Sequence, residues 1–301
     1  MKVIFVISVV VASVSIVGAQ QVKSGLPFLR LGAGADAIGR GDALVTDPSA
    51  AQAVFYNPAA IGDAPRASAM LMHLSSIADV NNNVLGANLP LGDWAVGFGL
   101  QSSSVSGVEV RDIATTQPLG TFTSLEGAVT LGAAYRASPE WSLGMNLKAL
   151  VQKIYLDQTA GWAMDVGARY KPTGSPFAYG LVLQNVGHMD ELHLASTTLP
   201  TLVRGAVSYS GMMDESNLLL YTAECVGEKV FSDGGVHVRV GGEIAYNNFL
   251  FARAGFKTGF ESSLLTAGIG LRFRFVQLDY AMQPYAQSYG IGHAVSLNIG
   301  F

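Results

Sequence analysis

The sequence predicts an all-β protein, a 14-stranded antiparallel transmembrane β-barrel with a short helical N-terminal plug segment. Apolar residues alternate with small or polar ones along most of the chain, as in strands that have one face toward lipid and the other toward a lumen. Only 13% of the residues are charged, against about 25% in typical soluble domains. The last strand-like stretch ends on an aromatic residue, Phe301. Together these features favour a barrel whose outer face contacts lipid.

Residues 1–19 have the organisation of a secretory signal peptide. Lys2 precedes an uncharged apolar run over residues 3–18, and small residues at the end of this run form a cleavage site before Gln20. The run is shorter than the roughly 20 apolar residues that a membrane-spanning helix needs. No Cys follows the site, which argues against a lipoprotein. We therefore expect export to the bacterial cell outer membrane after cleavage behind Ala19.

Residues 20–66 carry helix signals in place of the alternation. Asp47-Pro48 sets an N-cap residue before a Pro at the first helical position, and Asn57-Pro58-Ala59 repeats this pattern. Two helical turns of this length are unstable alone in water, so they need a surface to pack on. A 14-stranded barrel has a lumen too wide for its own side chains to fill. We predict that 20–66 folds into the lumen as a plug or hatch.

Residues 67–301 are predicted to form the barrel itself. The alternation yields about 14 candidate strands, an even number as expected for a bacterial barrel. They lie near 67–76, 82–91, 93–103, 125–137, 140–153, 161–171, 177–186, 201–210, 217–227, 235–246, 249–257, 263–274, 275–283 and 292–301. The polar stretches 104–124 and 187–200 are predicted extracellular loops. A soluble sandwich also alternates, but its solvated face would be more charged.

The final strand suggests how the chain would enter a membrane. Its apolar face consists of Val295, Leu297, Ile299 and the terminal Phe301. In bacterial barrels such an aromatic ending resembles the signal that the barrel-assembly machinery reads. We therefore expect two partners, this machinery and outer-membrane lipid. The net charge of −4 argues against nucleic acid, because neutralising phosphates requires a basic surface.

Several charged residues fall on the predicted inward face. Arg272 and Arg274 lie across a hairpin from Asp279. The same face carries Glu243, Arg239, Asp165 and Arg169. An Arg facing lipid at mid-membrane would cost about 2–4 kcal/mol, which favours the lumen. We predict a ladder of luminal ion pairs that connects the wall to the plug through Asp36 or Asp42.

Two further features bear on whether the protein has a catalytic or metal-binding site. The stretch 188–193 gathers His188, Asp190, Glu191 and His193, which could form a metal site or an acid/base pair. We favour a solvated polar loop, since no third ligand or orienting partner stands at a known spacing. The lone Cys225 has no second Cys for a disulfide and is predicted to be a small wall residue. We expect no enzyme activity, cofactor or metal.

Both ends of the chain resemble a known family. The resemblance rests on Phe28-Leu29-Arg30-Leu31-Gly32, Gly34-Ala35-Asp36-Ala37-Ile38-Gly39, Asp47-Pro48-Ser49-Ala50 and Phe55-Tyr56-Asn57-Pro58-Ala59, and near the C-terminus on Arg253-Ala254-Gly255-Phe256, Gly268-Ile269-Gly270 and Leu278-Asp279-Tyr280-Ala281. These motifs resemble the PorV/PorQ family of FadL-like outer-membrane barrels. The family usually has Arg where this chain has Asp36.

The resemblance implies one of two roles. Some family members are accessory proteins of type IX secretion that receive secreted cargo proteins, and we favour such a docking role. The alternative is transport of a hydrophobic solute, with the Asn-Pro-Ala segment as a hatch and a gap in the wall as the exit. Gly97, Gly99 and the serines at 102–104 could mark a weakened third strand. We favour the simpler interpretation that these are crowded interior positions.

Overall fold

The chain forms a closed antiparallel barrel. A computed structural model describes residues 25–63, 66–111, 117–192, 197–213, 218–232, 234–259, 265–285 and 290–301. Fourteen strands pair in sequence order, and the first strand pairs with the last, so the wall has no free edge along its full circumference. Within the described part of the chain, no helix has the length and apolar character needed to cross a bilayer. The predicted signal peptide lies outside the described residues.

Each predicted strand has a counterpart in the structure. The strands are β1 (Ser68–Ser75), β2 (Val80–Leu91), β3 (Trp94–Val110), β4 (Gly120–Arg136), β5 (Trp141–Ile154), β6 (Asp157–Tyr170), β7 (Phe177–Met189), β8 (Leu202–Met212), β9 (Leu219–Val230), β10 (Val236–Tyr246), β11 (Leu250–Thr258), β12 (Leu265–Phe273), β13 (Val276–Pro284) and β14 (Ile291–Gly300). The predicted loop 104–124 is mostly strand, because β3 and β4 each extend to 17 residues. They continue past a bulge between Val105 and Val108 by pairing with each other.

The two faces of the wall differ in chemistry. On β5 the outward Leu143 and Leu147 are half exposed, whereas the inward Asn146 and Lys148 are buried. The same alternation holds on the closing strand, where Val295 is exposed and its neighbours Ala294 and Ser296 are buried. A continuous apolar outer face without a water-compatible covering is stable in a lipid bilayer and unstable in water.

Aromatic side chains ring one end of the barrel. Trp94 and Tyr135 have ring centroids 4.8 Å apart, and Trp141 stacks on Tyr170 at 4.6 Å. The turns at this end are short, as between β2 and β3, which marks it as the periplasmic end. Trp162 lies outside this set, toward the opposite end of β6. We call this set of side chains the periplasmic aromatic ring.

Residues 25–63 form four short helices. They are a 3₁₀ helix at Pro27–Arg30, α1 (Ala35–Gly39), α2 (Ala50–Tyr56) and a second 3₁₀ helix at Pro58–Asp63. The predicted N-cap at Asp47 is wrong, because α2 begins at Ala50 with Ser49 as its N-cap. The Gln52 side-chain oxygen accepts hydrogen bonds from the Ser49 N–H (3.3 Å) and hydroxyl (2.6 Å). Asp47 lies two residues before this cap, and its carboxylate accepts a hydrogen bond from Arg169.

Candidate functional site

The segment 25–63, hereafter the plug, runs through the lumen from one mouth to the other. The Gly25 N–H donates to the Thr198 carbonyl (2.9 Å) in the connection between β7 and β8, at the extracellular end. The Gly62 carbonyl accepts from Arg136 Nη2 (2.6 Å) at the periplasmic end of β4. Between these points α1 packs on β11 to β14, and α2 packs on β1 to β4. The lumen is therefore occupied over its whole height.

Glycines in the wall make room for the plug. A Cβ atom on Gly97 would lie 3.0 Å from the Ile61 side chain, and one on Gly99 would lie 2.8 Å from Phe55. β3 nevertheless pairs with β2 without a break from Trp94 to Val105. The alternative prediction of a weakened third strand is therefore wrong for this stretch. These glycines are needed for close packing.

One group of luminal charges surrounds Glu228 on β9. Its carboxylate contacts Arg204 on β8 at 2.6 Å and Arg239 on β10 at 2.9 Å. Arg30 from the plug approaches the other oxygen at 3.1 Å. Three guanidinium groups thus compensate one buried carboxylate, which makes Glu228 a junction between two wall strands and the plug.

A second group surrounds Asp42 of the plug. Lys257 Nζ on β11 lies 2.7 Å from its carboxylate, and Arg239 lies 3.7 Å away. The Tyr56 hydroxyl donates to it at 3.2 Å. Burial alone would raise the pKa of Asp42, but the two cations outweigh it and lower the pKa. Burial and the nearby Asp42 charge raise the pKa of Tyr56 well above its usual value, so this hydroxyl stays a donor.

A third group lies on β10 to β13. Arg253 on β11 contacts Glu243 on the neighbouring β10 at 2.5 Å and, across β12, Asp279 on β13 at 2.7 Å. Gln277 donates to both oxygens of Asp279 at 2.9 and 2.8 Å. Glu243 and Asp279 were predicted to be luminal, and their shared partner is Arg253 in place of the predicted Arg272 and Arg274.

The two arginines of the β12–β13 hairpin lie elsewhere. Arg272 donates to Gln277 (2.8 Å) and to Asn248 (2.6 Å) near the periplasmic mouth. The prediction for Arg274 is wrong, because this residue lies in the turn with a φ of 56° and its guanidinium lies over the Phe273 ring, 5.5 Å from the ring centroid. β12 ends at Phe273, so the alternation that would point Arg274 inward no longer applies.

On β6, Arg169 and Asp165 have separate partners. Arg169 contacts three plug groups: the Asp47 carboxylate at 2.9 Å, the Asp63 carboxylate and the Thr46 carbonyl. Burial raises the pKa of Asp63 although Arg169 opposes this shift. Asp165 pairs with Lys148 on β5 at 2.9 Å. Arg169 thus attaches the middle and the C-terminal end of the plug to one wall strand, whereas Asp165 connects two strands of the wall.

Uncharged and acidic groups hold the middle of the plug. Glu224 on β9 accepts from the backbone N–H of Val45 (2.6 Å) and Thr46 (2.9 Å). Asn57 donates to the Val45 carbonyl at 3.1 Å and accepts from the Ala59 N–H at 3.1 Å. Glu224, Glu228, Arg253 and Lys257 were not among the predicted luminal ion-pair residues. All four occupy inward positions of alternating strands, so the same rule that selected Asp165 would have found them.

A small cavity remains between the plug and the wall. Its volume is about 10 Å³, and Leu31, Phe55, Tyr56, Gln101 and Ala128 are among its lining residues. This space holds at most about one water molecule. We call it the inner cavity.

A larger depression lies on the lipid-facing side of the same wall. It measures about 770 Å³ and is bounded by β14 and β1 to β5, with a mostly apolar lining. Gln101 on β3 and Ala128 on β4 stand opposite each other in the ladder and line both this depression and the inner cavity. We call the depression the outer recess. The two spaces therefore lie back to back across two strands.

The described members of the remaining candidates lie at the extracellular end and on β9. His188 and Asp190 are exposed at the extracellular end, with 3.9 Å between Nε2 and Oδ1, and His193 lies outside the described residues. In the described ranges, no three His, Cys, Asp or Glu side chains cluster closely enough to hold a metal ion. Cys225 is an exposed residue of β9.

Comparison with known proteins shows similarity at the level of fold. No protein-family model and no curated protein sequence matches the chain. The structure is similar to that of the Pseudomonas putida toluene transporter TodX, with a TM-score of 0.63 and 12% identity over 93% of this chain and 99% of that one. The Ralstonia pickettii toluene transporter TbuX gives 0.64 and 14% over 90% and 98%. A Pseudomonas aeruginosa FadL homologue gives 0.54 and 12% over 89% and 98%. The chain has the fold of the FadL-type outer-membrane barrels.

Proposed function

We propose that this protein resides in the bacterial outer membrane and carries hydrophobic small molecules across it, with the plug as the gate. The observation that carries the proposal is the back-to-back arrangement of the outer recess and the inner cavity. An apolar solute dissolved in the membrane would collect in the recess, where Gln101 and Ala128 separate it from the lumen. The similar folds of the toluene transporters support this function over cargo docking.

Transport requires the plug to move. One of its contacts with the wall near the inner cavity is the hydrogen bond from Gln101 Nε2 to the Phe28 carbonyl at 2.9 Å. Displacing the first 3₁₀ helix would break this bond and enlarge the inner cavity. The same displacement would break the ion pair of Arg30 with Glu228, whereas the ion pair of Asp42 with Lys257 would keep the rest of the plug attached.

A disulfide between plug and wall tests this proposal. A Cβ atom on Gly62 would lie 3.6 Å from that of Ala95 on β3, within the range of disulfide bonds. If the whole plug has to move, the oxidised Gly62→Cys/Ala95→Cys variant, in a Cys225→Ala background, should lose most uptake of radiolabelled toluene into cells. Reduction of the same protein should restore uptake.

A second disulfide joins the other end of the plug to the wall. Gly25→Cys/Thr197→Cys has a Cβ separation of 3.5 Å and pins the plug at the extracellular mouth, next to the first 3₁₀ helix. The single-cysteine variants serve as matched controls. If both oxidised disulfide variants transport toluene as fast as their reduced forms, the plug is not a gate. Absence of toluene and long-chain fatty-acid uptake by the unlocked protein would reject transport itself.

A docking role in protein secretion is the second candidate, and it has its own observation. The hairpin of β3 and β4 rises past the end of β2, which pairs no further than Val105. Beside it Phe122 packs on Tyr155 with centroids 5.3 Å apart, and Leu156 is 81% exposed. An apolar surface above the membrane is a candidate contact for an exported cargo protein. This role would suit the PorV/PorQ resemblance of the plug sequence.

The two candidates predict different consequences of a change at this surface. A Leu156→Asp variant should reduce the amount of exported protein in the medium if the barrel docks cargo. It should leave toluene uptake unchanged if the barrel is a transporter. Because Leu156 lies in a turn far from the plug, the substitution does not disturb the gate.

A further inference from the structure

Polar side chains form a row directly above the outer recess on the lipid-facing wall. Cross-strand pairing aligns His293, Ser75, Asn81, Ser104, Leu125 and Lys153 across β14 and β1 to β5. Four residues of this row can donate or accept hydrogen bonds, and Lys153 adds a positive charge. Most outward positions below this row are apolar. We call this set the polar row.

The recess beneath the row is built from apolar and small side chains. Leu71, Leu85 and Leu100 face outward at its lower side, while Ser102 and Gly127 leave space above them. Large residues below and small ones above produce a depression in a surface that is otherwise convex. A narrow apolar ligand with a polar end would match an apolar recess that has the polar row above it.

The position of the recess along the membrane normal follows from strand geometry. Ser102 follows Trp94 of the periplasmic aromatic ring by eight residues on β3. At about 3.3 Å per residue and a tilt of roughly 40°, it lies about 20 Å above that ring. The apolar band of such barrels is about 25 Å tall, so the recess faces the outer half of the hydrocarbon. By the same geometry the polar row lies near the upper boundary of the band.

We propose that the outer recess is a binding site for a lipid of the outer leaflet that has an anionic headgroup. The acyl chains lie in the recess, and the headgroup binds the polar row through Lys153. A methylene group takes about the volume of a water molecule, roughly 30 Å³, so 770 Å³ accommodates on the order of 25 methylenes, or about two acyl chains. The orientation, polar end outward, is the one that an outer-leaflet lipid already has.

Two further observations favour a lipid over a second copy of the chain. Lys153 makes no ion pair with any described residue, so its charge is available to a headgroup. Within the recess the ring Nδ1 of His73 bonds the Asn83 side-chain oxygen at 2.9 Å, and no described residue accepts from the Asn83 amide hydrogens. A lipid ester or hydroxyl oxygen would satisfy them. The convex wall of another barrel would not fill a depression of this shape.

Native mass spectrometry of the purified full barrel tests the site without any transport assay, so the result does not depend on the proposed function. The protein is mixed with phosphatidylglycerol or phosphatidylcholine in detergent, and the lipid retained per barrel is counted. We expect a Ser102→Phe variant, which fills the recess, to retain about fivefold less phosphatidylglycerol than the wild type. Lys153→Gln should lower phosphatidylglycerol retention to the level of phosphatidylcholine.

Matched controls test whether the effect is local. Gly227→Phe places the same bulk on the outward face of β9, where a Cβ meets nothing within 4 Å, and Lys171→Gln removes a charge at the periplasmic end. Both should retain lipid like the wild type. Ala149→Leu fills the recess more gently if Ser102→Phe fails to fold. Equal retention by wild type and recess variants overturns the proposal, as would dimers that disappear with Ser102→Phe.

Discussion

At the scale of single residues, buried charges decide how the plug is held. Asp42 and Glu228 are almost fully buried, and each has at least two cationic neighbours. Isolated buried charges would be unstable in a lumen closed by the plug, so these carboxylates depend on their partners. Arg239 contributes to both groups, which couples the plug residue Asp42 to the wall residue Glu228.

Removing the Asp42 charge should therefore destabilise the barrel. Asp42→Asn keeps the size of the side chain but leaves Lys257 with an uncompensated positive charge. We expect a loss of about 3–5 kcal/mol in the free energy of unfolding, as for other buried pairs that lose one partner. Urea unfolding in lipid vesicles measures this loss of free energy. Asp93→Asn, in the exposed β2–β3 turn, is the control and should change stability by less than about 0.5 kcal/mol. Equal effects would contradict the role of Asp42.

The same contact predicts a pH dependence. The pKa of Asp42 is lower in the folded barrel than its ordinary value of 3.8. A lowered pKa means that the carboxylate stabilises the fold at pH values above 3.8, and that this contribution is lost as the pH falls through the folded value. The difference in unfolding free energy between wild type and Asp42→Asn should be constant near neutral pH and shrink below about pH 4. A difference that grows on acidification would disprove this.

At the scale of elements, inward glycines set the distance between wall strands and plug helices. A Cβ atom on Gly144 of β5 would overlap the backbone at Pro58 and Ala59. On Gly241 of β10 it would overlap the backbone of Arg40. The plug can lie this close to the strands because these positions lack side chains, which is why a chain so rich in glycine can still form a packed interior.

This packing predicts a contrast between two glycines. Gly144→Val should displace the second 3₁₀ helix and lower the unfolding free energy by about 1–3 kcal/mol, the usual cost of overpacking. Gly227→Val faces outward with nothing within 4 Å of the new Cβ, so it should be neutral or slightly stabilising. Urea titration of both variants in the same vesicles compares them directly. A neutral Gly144→Val would mean that the plug yields easily at this point.

At the scale of the whole molecule, the wall closes without help from the plug. Each strand is hydrogen-bonded to both neighbours, and β1 pairs with β14 from Ser68 to Ser75. The plug adds side-chain and packing contacts but no strand. The barrel wall and the plug are thus separate structural units. A plug that acts as a gate requires this separation.

Deleting residues 25–63 should consequently leave a folded barrel with an open, charged lumen. We expect the deletion variant to conduct ions in planar bilayers, whereas the complete chain should be nearly silent because the plug fills the lumen. The heat-dependent mobility shift of folded barrels on gels provides the folding control. A folded deletion variant that does not conduct would show that another part of the chain blocks the lumen.

Local patterns in the sequence determined the strand count, the inward and outward faces, and the existence of a helical segment before the barrel. Alternation depends only on neighbouring residues, so Leu143 and Asn146 could be assigned to their faces without any tertiary knowledge. The partners could not be assigned in this way. Arg253 in place of Arg272 contacts Asp279, and Ser49 in place of Asp47 caps α2.

These choices belong to the tertiary structure because they depend on contacts between distant parts of the chain. Arg169 reaches Asp47 across 122 positions of sequence, and Lys257 reaches Asp42 across 215. Such pairs form only after the register of every strand is set and the barrel has closed around the plug. The outer recess has the same origin, since β14 and β1 meet there only when the barrel is closed. The period-two pattern of the sequence determines which face of the wall each side chain occupies. Only closure of the barrel brings the first and last strands together.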